Sequence, residues 1–197
     1  MTGIINYGAG NIFSLTAALD RLSIPHGMIN ATHEIASYDR IIIPGVGHAG
    51  AAMQKLRESG LADAIATISK PVLGICVGMQ LLTAYSEEGD SDLLDIVPLS
   101  TLHFEGRVEA KVPHMGWNRV RQGNDSPLFE QIADGAYFYF VHSYYIEYSP
   151  TFTAAYADYG LKFSAALQDR NFYGVQFHPE KSGEAGERLL LNFSNLY

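Results

Sequence analysis

The chain has 197 residues, 47% of them hydrophobic, and a formal net charge of −8. That length suits one domain with a real core, and an acidic chain with dispersed lysines argues against nucleic acid as a partner. No apolar run reaches spanning length, and one cysteine rules out an internal disulfide, in keeping with a reducing cytoplasm. The first residues lack a basic flank and a cleavage site, so residues 3–6 read as a strand and not as part of a signal peptide. Residues 11–22 predict a helix, with Ile12, Leu15, Ala18, Leu19 and Leu22 at three- and four-residue spacing. A strand is expected at 26–29, and a buried one at 40–43 that ends at Pro44-Gly45. Helices follow at 49–57 and 61–69, divided by Gly60, then a strand at 71–75 and a helical run at 79–82. Repeated β–turn–α units with near-continuous apolar strands argue for a parallel sheet covered on both faces.

The second half reads differently. Residues 97–173 carry short strands, turns and many aromatics, with the clearest strands at 136–141 and 172–177. Residues 183–195 predict a closing helix whose apolar face is Ala185, Leu189, Leu190 and Phe193. No repeat or low-complexity linker divides the chain. The charge run at 87–92 reads, on composition alone, as a solvated turn.

Chemistry concentrates at Gly74-Ile75-Cys76-Val77-Gly78, between a strand and a helix. A Gly-x-Cys-x-Gly core there is a nucleophile elbow: the turn is sharp, so small residues must flank the nucleophile. The sulfur stands over a helix N-terminus, a setting that favours an anion. The implied reaction is covalent acyl transfer by cysteine. A buried lone cysteine can also be a small core hydrophobe. Of seven histidines, His178 in Phe177-His178-Pro179-Glu180 is best placed to act as the base. Residues two apart at a strand end project to one side, so Glu180 can orient His178. A His-Pro-Glu run can equally be a surface turn. Both bland readings lose weight because the two motifs stand at strand ends of one chain. Pro44-Gly45-Val46-Gly47 is, taken alone, an ordinary strand-to-helix turn. Beside a reactive sulfur it can offer backbone N–H groups, with the N–H of Val77 as a second oxyanion donor. No His-Glu-x-x-His or Cys/His ligand spacing occurs, so neither a metal nor another cofactor is expected.

Together, Gly-Ile-Cys-Val-Gly-Met-Gln around Cys76, His178 and Glu180 in His-Pro-Glu, and Pro-Gly-Val-Gly resemble the class I triad glutamine amidotransferases, from Asn6 to Asn192. Three further segments resemble the glutaminase subunits of imidazole glycerol phosphate synthase: Asn6-Tyr7-Gly8-Ala9-Gly10-Asn11, Pro113-His114-Met115-Gly116-Trp117-Asn118 and His178-Pro179-Glu180-Lys181-Ser182-Gly183. Asn6 departs from the Asp that many relatives carry. The resemblance implies an α/β flavodoxin-like three-layer sandwich, a mainly parallel central sheet plus a small antiparallel region, as a single domain over 1–197. It implies Cys76, His178 and Glu180 as the triad and Val46 and Val77 as oxyanion donors. Gly47, Gln80, Glu88, His142, Ser143 and Tyr144 match positions that hold L-glutamine, which sets aside the bland reading of the charge run for Glu88. Asn11, Trp117 and Lys181 fit an interface with a cyclase subunit, a (βα)₈ barrel, in a heterodimer that channels ammonia. The complex would turn PRFAR into imidazole glycerol phosphate and AICAR in cytoplasmic histidine biosynthesis. Two rivals stand beside this reading: a glutaminase serving another synthase, and a regulatory binding subunit on an inactive amidotransferase scaffold.

Overall fold

The computed structural model describes residues 1–8 and 10–196. Ala9, inside the Asn6–Asn11 motif, and Tyr197, at the end of the expected domain, lie outside the described residues. The first half alternates in the anticipated order, with the helix expected at 79–82 starting two residues earlier, directly after Cys76: β1 (Thr2–Ile5), α1 (Ile12–Arg21), β2 (His26–Ile29), β3 (Arg40–Ile43), α2 (Ala49–Glu58), α3 (Leu61–Ala66), β4 (Val72–Ile75) and α4 (Val77–Gln80). Asn11 is the N-cap of α1, its side-chain oxygen accepting from the Ser14 N–H at 3.4 Å. The helix expected at 61–69 stops at Ala66, and its last turn is closed by Thr67, which donates to the Ala64 carbonyl through both N–H and hydroxyl.

The second half supplies β5 (Thr83–Ser86), β6 (Ser91–Asp92), β7 (Val97–His103), β8 (His114–Gln122), β9 (Ala136–His142), β10 (Tyr144–Glu147), β11 (Thr153–Asp158), β12 (Lys162–Asp169), β13 (Phe172–Val175) and α5 (Gly183–Ser194). The path through the sheet is β2-β1-β3-β4-β13-β12-β10-β7-β5-β6. Its first five strands pair in parallel. They are buried throughout at β1, β3, β4 and β13, as strands covered on both faces must be. From β12 the sheet continues through antiparallel pairs, interrupted by the parallel β7–β5 pair, and branches through β11 to the β8–β9 pair.

Two features of this topology position the site. β4 and β13 are adjacent and in parallel register, Ile75 opposite Val175, so the segments after both strands emerge side by side. β3 is the other neighbour of β4, so the Pro44–Gly47 turn joins them at the same edge. Ligand chemistry in open α/β sheets gathers at such carboxyl ends.

Candidate active site

Cys76 follows β4 at φ 54°, ψ −112°, a left-handed backbone that a β-carbon disfavours. Hydrogen bonds over-determine it: its N–H donates to the Val175 carbonyl at 2.8 Å, and its carbonyl accepts from the N–H groups of Met79 and Gln80. Bare backbone packs around the elbow. A β-carbon on Gly74 would strike the Gly78 carbonyl, one on Gly78 would strike the Ile43 carbonyl, and one on Gly45 would sit 2.5 Å from the Gly78 nitrogen. The β3 turn therefore touches the elbow directly, which brings Val46 and Gly47 to the sulfur's cavity.

His178 lies beyond β13. The strand expected over 172–177 ends at Val175, and Pro179–Lys181 forms a single 3₁₀ turn. Glu180 thus reaches His178 by folding back through that turn and not by strand alternation. The His178 Nδ1 to Glu180 Oε1 distance is 2.8 Å, with both side chains only 3% exposed. His178 Nε2 is buried without a hydrogen bond of good geometry, and its neighbour there is the Cys76 sulfur. Burial favours the neutral ring, but the Cys76 sulfur and the Glu180 carboxylate outweigh it and push His178 up to about 10. The backbone N–H of His178 donates to the Tyr139 carbonyl at 2.9 Å. Ser182 closes the turn, its hydroxyl donating to the His178 carbonyl at 2.6 Å and accepting from the Tyr139 N–H at 3.0 Å.

A cavity of about 330 Å³ opens here, walled by Val46, Gly47, Cys76, Val77, Gln80, Glu88, His142, Ser143, Tyr144 and His178, with Pro113 and Val141. Every residue expected to act on or hold glutamine, except Glu180 behind His178, therefore reaches one cavity. Val77 begins α4, where backbone N–H groups have no intrahelical partner. Glu88 caps the neighbouring helix, its Oε2 accepting from the Ala49 N–H at 2.5 Å. Asn11, Trp117 and Lys181 do not line the cavity. Trp117 is 56% exposed on β8, edge-on to Tyr139 at 6.1 Å.

Polar residues behind the cavity complete it. The Tyr144 carbonyl accepts from His142 Nδ1 at 2.7 Å, so His142 Nε2 must accept, which it does from His114 Nδ1 at 2.9 Å. Asn118 Nδ2 then donates to His114 Nε2 at 3.3 Å. Burial, with His114 adding to it, lowers His142 to about 3, and burial alone lowers His114 to about 4. Both rings are accordingly neutral at neutral pH. Tyr7, buried, donates its hydroxyl to the Pro44 carbonyl at 2.7 Å and so braces the glycine-rich turn. Burial, with Cys76 nearby, raises the Tyr7 phenol above its ordinary range. No functional assignment from sequence reached Tyr7, His114 or Gln176. Gln176 had one signal: a polar residue inside the apolar run of β13 and Phe177. Among the described residues no cluster of His, Cys, Asp and Glu could hold a metal ion, and no helix is long and apolar enough to cross a membrane.

A strained cysteine elbow, a buried His–Glu pair and a glycine-rich turn meet at one edge of the parallel sheet. The family model for class-I glutamine amidotransferases matches residues 4–195. The chain belongs to that family. Within it, the imidazole glycerol phosphate synthase subunit HisH of Pasteurella multocida is 49% identical over 190 residues, covering 96% of this chain and 95% of the relative. The protein of that name from Bacteroides thetaiotaomicron is 48% identical over 195 residues, covering 98% of each. Among solved structures, a glutamine amidotransferase superposes with a TM-score of 0.75 at 16% identity, covering 98% of this chain and 96% of that one. PurLQS from Thermotoga maritima superposes with a TM-score of 0.73 at 16% identity, covering 98% and 97%. These two bear on the fold alone, which is the flavodoxin-like α/β arrangement.

Proposed function

We propose that this chain is the glutaminase subunit of an imidazole glycerol phosphate synthase, hydrolysing L-glutamine and delivering ammonia for histidine biosynthesis. The observation that carries the reading is the buried His178–Glu180 pair, 2.8 Å apart, beside the strained Cys76. The Cys76 thiolate attacks the side-chain amide carbon of glutamine. Negative charge moves to the amide oxygen, which the N–H groups of Val46 and Val77 receive. His178, as imidazolium, gives its proton to the departing nitrogen, so ammonia leaves and a thioester remains. His178 then takes a proton from water, hydroxide attacks the thioester, and glutamate leaves as the sulfur is restored. Glu180 holds the ring and stabilises its cation.

Gly47, Gln80, Glu88, His142, Ser143 and Tyr144 hold glutamine. The Glu88 carboxylate suits its ammonium group, since one oxygen remains after Oε2 has capped α2. The partner is a cyclase subunit, a (βα)₈ barrel that binds at a face containing Asn11, Trp117 and Lys181. It joins ammonia to PRFAR, giving imidazole glycerol phosphate and AICAR. Docking matters physically because ammonia reaching bulk water becomes ammonium and is no longer a nucleophile. One apolar cluster running from Ile4 to Phe193 supports a single amidotransferase domain over 1–197, and a lone cysteine supports a cytoplasmic setting.

The test is Cys76→Ala in the assembled synthase. Glutamine-dependent product formation is lost, while synthesis from added ammonium persists. Loss of both would make Cys76 a structural residue, and failure to assemble with a histidine-pathway cyclase would favour another synthase.

A further inference from the structure

We propose that Gln176 is a further catalytic residue, the amide donor that holds the Cys76 sulfur while it is anionic. This rests on the glutaminase reading above. Gln176 is fully buried directly after β13, flanked by Val175 and Phe177, which are also fully buried. A carboxamide in such surroundings is strongly disfavoured unless its polar groups are paired. Its Nε2 lies 3.7 Å from Cys76 Sγ, hydrogen-bond range for sulfur. Its Oε1 accepts from Gln80 Nε2 at 3.0 Å.

The second bond fixes which end of the amide meets the sulfur. An amide flipped at Gln176 would set two NH₂ groups against each other and aim a carbonyl oxygen at the sulfur. Gln80 is fixed in turn, because its Nε2 also donates to the Tyr144 carbonyl at 3.2 Å. Both N–H bonds of Gln80 are thereby committed inside the protein, which leaves only its Oε1 to face glutamine. Gln80 is thus a positioning residue for Gln176 as well as part of the cavity wall.

Chemically, the sulfur is anionic twice per turnover: before the S–C bond forms, and when that bond breaks as water displaces it from the thioester. A neutral, buried, pre-aimed N–H stabilises it at both moments without a proton to lose. Titratable groups stand around the sulfur and its cavity: His178, backed by Glu180, after β13, Tyr7 after β1, His142 at the end of β9, and Glu88 in the cavity wall. Gln176 does not titrate, so its effect adds to theirs at every pH.

The experiment measures alkylation of Cys76 by iodoacetamide against pH, and glutamine hydrolysis, in the chain assembled with its cyclase subunit, as wild type, Gln176→Met and Gln176→Glu. Glu keeps the oxygen that accepts from Gln80 but replaces the donor with a carboxylate. Both variants are expected to alkylate at least about tenfold more slowly at pH 7, with the profile displaced to higher pH. Their kcat falls at least about tenfold, with KM for glutamine within about twofold. Unchanged profiles and kcat in a folded variant overturn the proposal, as does a loss confined to KM. Should neither variant fold, the Gln176 side-chain amide proton is followed by NMR in wild type and Cys76→Ala. A shift on loss of the sulfur upholds the contact, and an unmoved resonance overturns it. Wild-type protein that neither alkylates at Cys76 nor hydrolyses glutamine would sink the glutaminase reading itself.

Discussion

The backbone of His178 is tied to the backbone of Tyr139: the His178 N–H donates to the Tyr139 carbonyl at 2.9 Å, and Ser182 bridges the return. Tyr139 is also the β9 residue in register with Trp117, the exposed aromatic of β8. The imidazole proposed as base is therefore fastened to the strand pair that carries the proposed partner surface. That is a direct mechanical route between the two.

Ser182→Ala removes both bridging bonds at a position that is almost fully buried. Stability is expected to drop by about 1–2 kcal/mol. The His178 turn also loosens, so glutamine hydrolysis falls at least about tenfold in kcat. Steady-state kinetics alongside a thermal melt check this, and a melt shift with unaltered kcat would show that the bridge serves stability alone.

Gly78→Ala tests the close approach of the elbow and the β3 turn. The added carbon would strike the Ile43 carbonyl, a backbone atom that cannot swing aside. Overpacking of this kind costs about 1–3 kcal/mol. Because relief must come from moving the elbow, Cys76 reactivity toward a glutamine-mimicking diazoketone falls as well. Mass spectrometry of the adduct measures it.

Trp117→Ala separates an interface role from a packing role. With 56% of its surface exposed, this tryptophan contributes little to the fold, and the melting temperature should hardly change. Affinity for the cyclase should weaken by about 2 kcal/mol or more if it is an anchor. Calorimetry of the two subunits gives that number.

The His114–His142 pair makes a pH prediction. Both rings are held below their ordinary value, to about 4 and about 3, so the unfolded chain binds more protons than the folded one as pH falls below about 6.5. Stability from the neutral rings is complete above that pH and is lost on acidification toward the folded values. The slope is roughly 1.4 kcal/mol per pH unit for each histidine. Replacing His142 with Gln should flatten the melting temperature between pH 6.5 and about 4. An equally steep decline in the variant would assign the acid sensitivity elsewhere.

Much of this architecture was legible along the chain. β1, β3, β4 and α2 follow from apolar runs and three- and four-residue spacing, because burial on both faces leaves a plain compositional mark. The Cys76 elbow and the Pro44–Gly47 turn follow from their glycines: Gly45, Gly74 and Gly78 are packed too closely for a side chain, and Gly47 holds a positive φ. The pairing of His178 with Glu180 was legible too, but its cause was not: a 3₁₀ turn that starts at Pro179 makes the contact, where strand alternation had been the expected route.

Local pattern specifies which residues can be strands, caps and nucleophiles, because those choices depend on neighbours a few positions away. Only the folded chain decides which strand ends lie side by side. The adjacency of β4 and β13 brings residues 76 and 178 together, and the same adjacency sets Gln176 against the sulfur and Gln80 against Gln176. Hydrogen bonds between residues roughly a hundred positions apart depend on angles that no periodicity encodes. The reaction class is therefore written in the motif, and the partners of its sulfur are chosen by the sheet.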